Sequence, residues 1–168
     1  MKTRNAIRGL CAAWVVALPV LAAAQALVEQ RTLSLDAAHE LAREALQQCR
    51  KAGFRVTVTV LDGSGRTAVV LHDDGAAPHT IEHSLRKAYT AFVARLPSGE
   101  YGKRVVANPA GASILQLHNM TLAEGGLPIQ AGRDLVGAVG ISGAAGGDKD
   151  AACAQAGVDK VARSFPAG

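Results

Sequence analysis

The side chains of this sequence best suited to chemistry near neutral pH are its five histidines, His39, His72, His79, His83 and His118. Imidazole changes charge in that range and also ligates metals. In the stretch HTIEH, His79 and His83 flank Glu82 at a spacing that turns both rings onto one face of a helix start. The stretch differs from the HExxH zinc motif, where the acid directly follows the first histidine, and spacing indicates no third ligand. It admits a structural metal site, or acid–base work by His79, Glu82 and His83 on a small substrate. A single neutral imidazole is also enough to ligate an iron porphyrin in an apolar cleft with a basic group near the propionates. No CxxCH occurs, so such a haem would be held non-covalently.

Other chemistries find less support. GISGAAGGDKD is rich in glycine, but GxxxxGK[ST] is absent and the acidic Asp148 at a helix start opposes an anion. Dinucleotide binding requires GxGxxG after a parallel strand, which the order of elements does not provide. There is no GxSxG elbow, and no Ser or Cys stands beside a His in a recognisable nucleophile arrangement.

The elements that would position these residues follow from periodicity and punctuation. Ser34 is placed to cap a helix of roughly 35–52, with Leu35, Ala38, Leu41, Ala45, Leu46 and Cys49 recurring at threes and fours and Gly53 closing it. FRVTVTVL alternates, the turn Asp62-Gly63-Ser64-Gly65 follows, and then RTAVVLH; this predicts a β-hairpin. Thr80 is placed to cap a helix to about Leu96, whose buried stripe would be Ile81, Leu85, Ala88, Tyr89 and Phe92. A short helix is expected near 99–106, then strands at Thr121-Leu122, Leu127–Ile129 and Leu135–Ile141, and a last helix over 149–163 capped by Asp148. The reading is a single α/β domain of the α+β type, an antiparallel sheet of about five strands in a meander flanked by helices.

Length and composition agree with one domain. The 168 residues are 49% hydrophobic and 19% charged, too apolar for disorder. Lys2, Arg4 and Arg8 precede an apolar run from Gly9 to Ala23 and then Ala24-Gln25-Ala26, the order of a secretory signal peptide. Cleavage is expected after Ala26, with Ala24 as the alternative site and a membrane anchor as the alternative reading, leaving a domain over 27–168. Removing that leader takes three of the 18 basic residues and leaves 15 against 14 acidic ones in the remaining 142. With aromatics at 4%, no footprint for nucleic acid or anionic lipid remains. The expected location is periplasmic or secreted. Cys49 and Cys153 both fall on predicted helices, and either form a disulfide or stay as buried thiols.

TVTVLDGSGRTAVVLHDDGA, HSLRKAYTA, TLAEGGLPIQAGRDLVGAVGISGA and DKDAACAQAGVDKV together resemble the GlcG/HbpS family of haem-binding proteins, related to the C-terminal domain of PduO-type proteins. The resemblance covers about 33–163. It implies an antiparallel α/β domain, often assembled into homodimers or higher homo-oligomers, and for some secreted members haem binding, sometimes with haem degradation. Cofactor-binding residues are then sought among the histidines. His79 ranks first, as the iron ligand in an accessible loop with Thr80 beside it; His39 and His83 rank next, and His118, before Asn119-Met120, last. Lys87 or Arg86 would meet the propionates, Lys87 alternatively forming an ion pair at an interface. A competing reading is a periplasmic accessory subunit of an oxidoreductase system that binds a corrinoid or another small molecule, such as an organic acid, without haem.

Overall fold

The computed structural model describes residues 28–165, and the expected leader at 1–26 lies outside them. Ser34 caps the first helix, its Oγ accepting the Ala37 N–H at 3.2 Å, and α1 runs Leu35–Lys51. The expected hairpin follows as β1 Thr57–Asp62 and β2 Thr67–His72. In its turn, Asp62 Oδ1 accepts the N–H groups of Ser64 and Arg66. Then come α2 His79–Ala94, α3 Ser98–Ala107, a 3-10 segment Pro109–Gln116, β3 Gly126–Ala131, β4 Asp134–Ser142 and α4 Gly147–Ala162.

The α+β antiparallel architecture is as expected, with a sheet of four strands in the order β2-β1-β4-β3. It is not a plain meander, because β4 and not β3 lies beside β1. Thr121-Leu122 is not a strand. Hydroxyls hold that stretch in place of a ladder: Thr121 N–H donates to Thr90 Oγ1, and Ser98 Oγ donates to the Ala123 carbonyl and accepts the Gly126 N–H.

Helices α1 and α4 cover one sheet face, burying Val58, Val60, Val139 and Ile141 against Leu41, Ala45 and Val161. Cys49 and Cys153 are bridged across the two helices, with Cα atoms 5.5 Å apart, which decides between disulfide and thiols. No described helix is long and apolar enough to cross a membrane.

The other face belongs to α2, and here the expected stripe is corrected. Inward go Thr80, Ser84, Lys87, Ala88, Thr90 and Ala91, while Ile81 stays 46% exposed and Leu85, Tyr89 and Phe92 are half-buried. The reason is distance. A Cβ on Gly140 would collide with the Ser84 carbonyl and the Ala88 nitrogen, and one on Gly126 with the Lys87 carbonyl. The α2 backbone therefore lies directly on β4 and β3, and only small or hydroxyl-bearing side chains fit between. Thr57 and Thr59, outward by simple alternation, are fully buried there and bond to Thr80 and Ser84 at 2.7 and 2.8 Å. Neither expected helix cap is used: α2 starts at His79 after Pro78, and α4 at Gly147 after Gly146, with no side-chain cap on either.

Candidate functional site

The ends of β2, β1 and β4 meet the start of α2. The register sets Thr57 between His72 on β2 and Ser142 on β4. From α2, Thr80 reaches Thr57 and His83 reaches Ser142. The loop Gly143–Gly146 and the first turn of α4 form a second wall, Ala123-Glu124 a third, and together they enclose a cleft of about 460 Å³.

Hydrogen-bond direction along the row follows from donor counting. Thr80 Oγ1 donates to the Ala77 carbonyl at 2.6 Å, so its single proton is spent and it accepts from Thr57. Thr57 then has no proton left for His72, whose Nδ1 at 2.7 Å must be the donor. Neutral His72 is thereby fixed with its proton on Nδ1 and a lone pair on Nε2.

His83 is half-buried, with Nδ1 at 3.1 Å from Ser142 Oγ. Burial, followed by the charges of Lys87, His79 and Arg86, pushes its pKa below the ordinary 6.5 despite the opposing Glu82. At neutral pH the ring is uncharged, the form that ligates a metal.

Beneath the cleft Lys87 and Asp150 form an ion pair, Nζ to Oδ2 2.7 Å, with side chains 3% and 4% exposed. Asp150 Oδ1 also accepts the Ala144 N–H at 3.0 Å, tying the loop wall to α4. Burial raises the Asp150 pKa, with Lys87 working against the rise. The Lys87 ammonium is thus engaged by Asp150 within the chain.

The structure brings His79, Thr80, His83 and Lys87 together in this cleft. It does not bring the other candidates there. His39 lies on the exposed side of α1 in a separate groove with Arg43 and Lys160. His118 is exposed after the 3-10 segment, and Arg86 pairs with Glu82 at 2.5 Å outside the cleft lining. Among the described residues no group of three or more His, Cys, Asp or Glu side chains converges to hold a metal ion. Sequence reasoning missed Arg55, Ser142 and Asp150. Ser142 and Asp150 stand within stretches noticed for their resemblance, but only the fold turns them to the cleft; Arg55 read as an ordinary strand residue.

The family model described as haem degrading protein HbpS-like matches residues 33–159. HbpS of Streptomyces reticuli, solved as a double mutant, is 36% identical, with a TM-score of 0.75 over 86% of this chain and 97% of that one. An uncharacterised 15.0 kDa protein from the dhaT-dhaS intergenic region of Citrobacter freundii is 33% identical over 117 residues, 67% of this chain and 80% of that protein. A complex of PduOC with haem has the same fold, at 24% identity and a TM-score of 0.69, over 76% of this chain and 94% of that one.

Proposed function

The chain belongs to the HbpS-like family, and on that premise we propose that it is an exported haem-binding protein with its site at the cleft between α2 and the Gly143–Gly146 loop. His83 carries the reading. It is the cleft imidazole that combines an engaged Nδ1 with a ring kept neutral by burial, the condition for offering Nε2 to iron. His79, exposed at the first residue of α2, stands beside it as the second candidate ligand.

The donor set fits haem. The walls of the cleft are small or polar, among them Thr80, Ser142, Gly143 and Gly147, and His83, with His79 beside it, would hold the iron. Haem, when bound, supplies a redox-active iron. The protein's own residues orient the imidazole through Ser142 and fix the floor through the Lys87–Asp150 pair. Export to the periplasm or beyond is supported by the order of charges and apolar residues at 1–26 and by a disulfide suited to an oxidising compartment. Assembly into a homo-oligomer is what the family resemblance implies.

Titration of the purified chain with haemin, followed at the Soret band, tests the site. Saturable binding lost in His83→Ala and kept in His39→Ala and His118→Ala is the expected result. Loss in His79→Ala alone would move the ligand to His79. Spectra that never saturate for the wild type would remove haem as the ligand. The polar walls favour one second reading, a small organic acid bound without haem in an accessory role, which calorimetry with short carboxylic acids would detect.

A further inference from the structure

The cations around the cleft are unequal. Lys87 is buried against Asp150 and Arg86 is paired with Glu82. Lys149 is held by the Ala145 carbonyl at 3.0 Å and lies over the Phe54 ring. Arg55 is different. It lines the cleft, its side chain is 56% exposed, and its guanidinium comes no nearer than 3.9 Å to Asp73 Oδ2. Asp73 is already committed, because Arg50 donates from Nε to both carboxylate oxygens at 3.0 and 3.1 Å and from Nη2 to Oδ1 at 2.6 Å. Two guanidiniums thus share one buried carboxylate, with Asp74 adding its charge on the Arg50 side, and Arg55 is the more loosely paired of the two.

The negative groups of the cleft are engaged elsewhere. Asp150 is neutralised by Lys87, and the Glu124 side chain lies along Gly99 in the first turn of α3, where a helix start favours an acid. The Arg55 backbone is meanwhile fixed, since its carbonyl packs against Gly143 so closely that a Cβ there would collide with it. An exposed, loosely paired guanidinium on a fixed backbone can take a carboxylate through two parallel hydrogen bonds.

We propose that Arg55 receives a carboxylate of the cleft's ligand and so fixes which end of that ligand enters. This rests on the reading of the cleft as a ligand site. The carboxylate would be a haem propionate, or the acid group of a small organic acid, and the experiment separates the two. Wild type, Arg55→Gln and Arg55→Lys are titrated with haemin, with haemin whose propionates are methyl esters, and with succinate. Matched thermal melts for the three proteins confirm that the exposed substitution leaves the fold intact.

With haemin, Arg55→Gln is expected to weaken binding by about tenfold or more, the scale of one charge-assisted pair. Arg55→Lys should recover part of the loss, and the ester should bind all three proteins alike. Equal haemin affinity for wild type and Arg55→Gln, or an equal loss with the ester, overturns the proposal while leaving haem binding in place. If the wild type fails to bind haemin at all, the haem reading falls and succinate decides. Succinate binding lost in Arg55→Gln upholds the role of Arg55 with a small acid, and no succinate binding, or binding that Arg55→Gln leaves unchanged, overturns it.

Discussion

Burial, with Lys87 and Arg86 nearby, biases His83 toward its neutral form, and that bias has a sign in pH. The unfolded imidazole takes its proton near the ordinary 6.5, whereas the folded ring takes it only at a lower pH. Between those two values the unfolded chain binds more protons, so stability contributed by His83 is present above 6.5 and lost as the pH falls through the window. Urea unfolding at several pH values between 7.5 and 5 should therefore show a decline from this source that is shallower in His83→Gln. At His72 the expectation is a tautomer. Because the Thr57–Thr80–Ala77 chain runs one way, nitrogen NMR of the neutral ring should find the proton on Nδ1, and Thr57→Val should release that preference. A proton found on Nε2 in the wild type would mean the chain runs otherwise. The sequence made these histidines visible as candidates, but their unequal standing depends on Ser142 and Thr57, which lie far from them along the chain.

Among the elements, α2 is the one whose placement the site depends on, and its seat is made of glycine. Gly140 and Gly126 are paired across β4 and β3 and lie directly under the α2 backbone. Gly140→Ala pushes a methyl into the Ser84 carbonyl and the Ala88 nitrogen. Overpacking of this kind costs about 1–3 kcal/mol, and more where backbone is the obstacle. Chemical denaturation should register that loss, and haemin affinity should fall with it because His79 and His83 ride on the displaced helix. The α1 stripe was legible from periodicity because it packs through ordinary apolar contacts. The α2 stripe was not, because backbone contact makes Thr80, Ser84 and Ala88 the buried face, and hydropathy alone favours Ile81 and Leu85.

For the molecule as a whole, the Cys49–Cys153 bridge closes a loop with a sequence separation of 104 residues, joining the first helix to the last. Cross-links over loops of that order contribute roughly 3–5 kcal/mol by restricting the unfolded chain. The double variant Cys49→Ser/Cys153→Ser should melt well below the wild type, and a reductant strong enough to open the buried bridge should lower the wild type to match. A melting point indifferent to both would show that α1 and α4 are held by packing alone, through Gly157 against Leu41 and through Ala45. The bridge also ties the fold to its proposed compartment, since a cytosolic chain would be kept reduced.

What the sequence determined by itself was the set of local and compositional features: the capped α1, the β1–β2 hairpin with its Asp62 turn, the antiparallel α+β class, the family, and the histidines as the residues to watch. Each is set by periodicity, by turn chemistry over a few residues, or by several motifs matching together. Tertiary structure alone decided that β4 lies against β1, that Cys49 meets Cys153, that Thr57 and Thr59 are buried, and that His79 and His83 share a cleft with Arg55 while His39 and His118 do not. These are relations between residues distant in the chain, settled by how closely backbones approach and by which charges are already paired, and neither quantity is written in any local stretch of sequence.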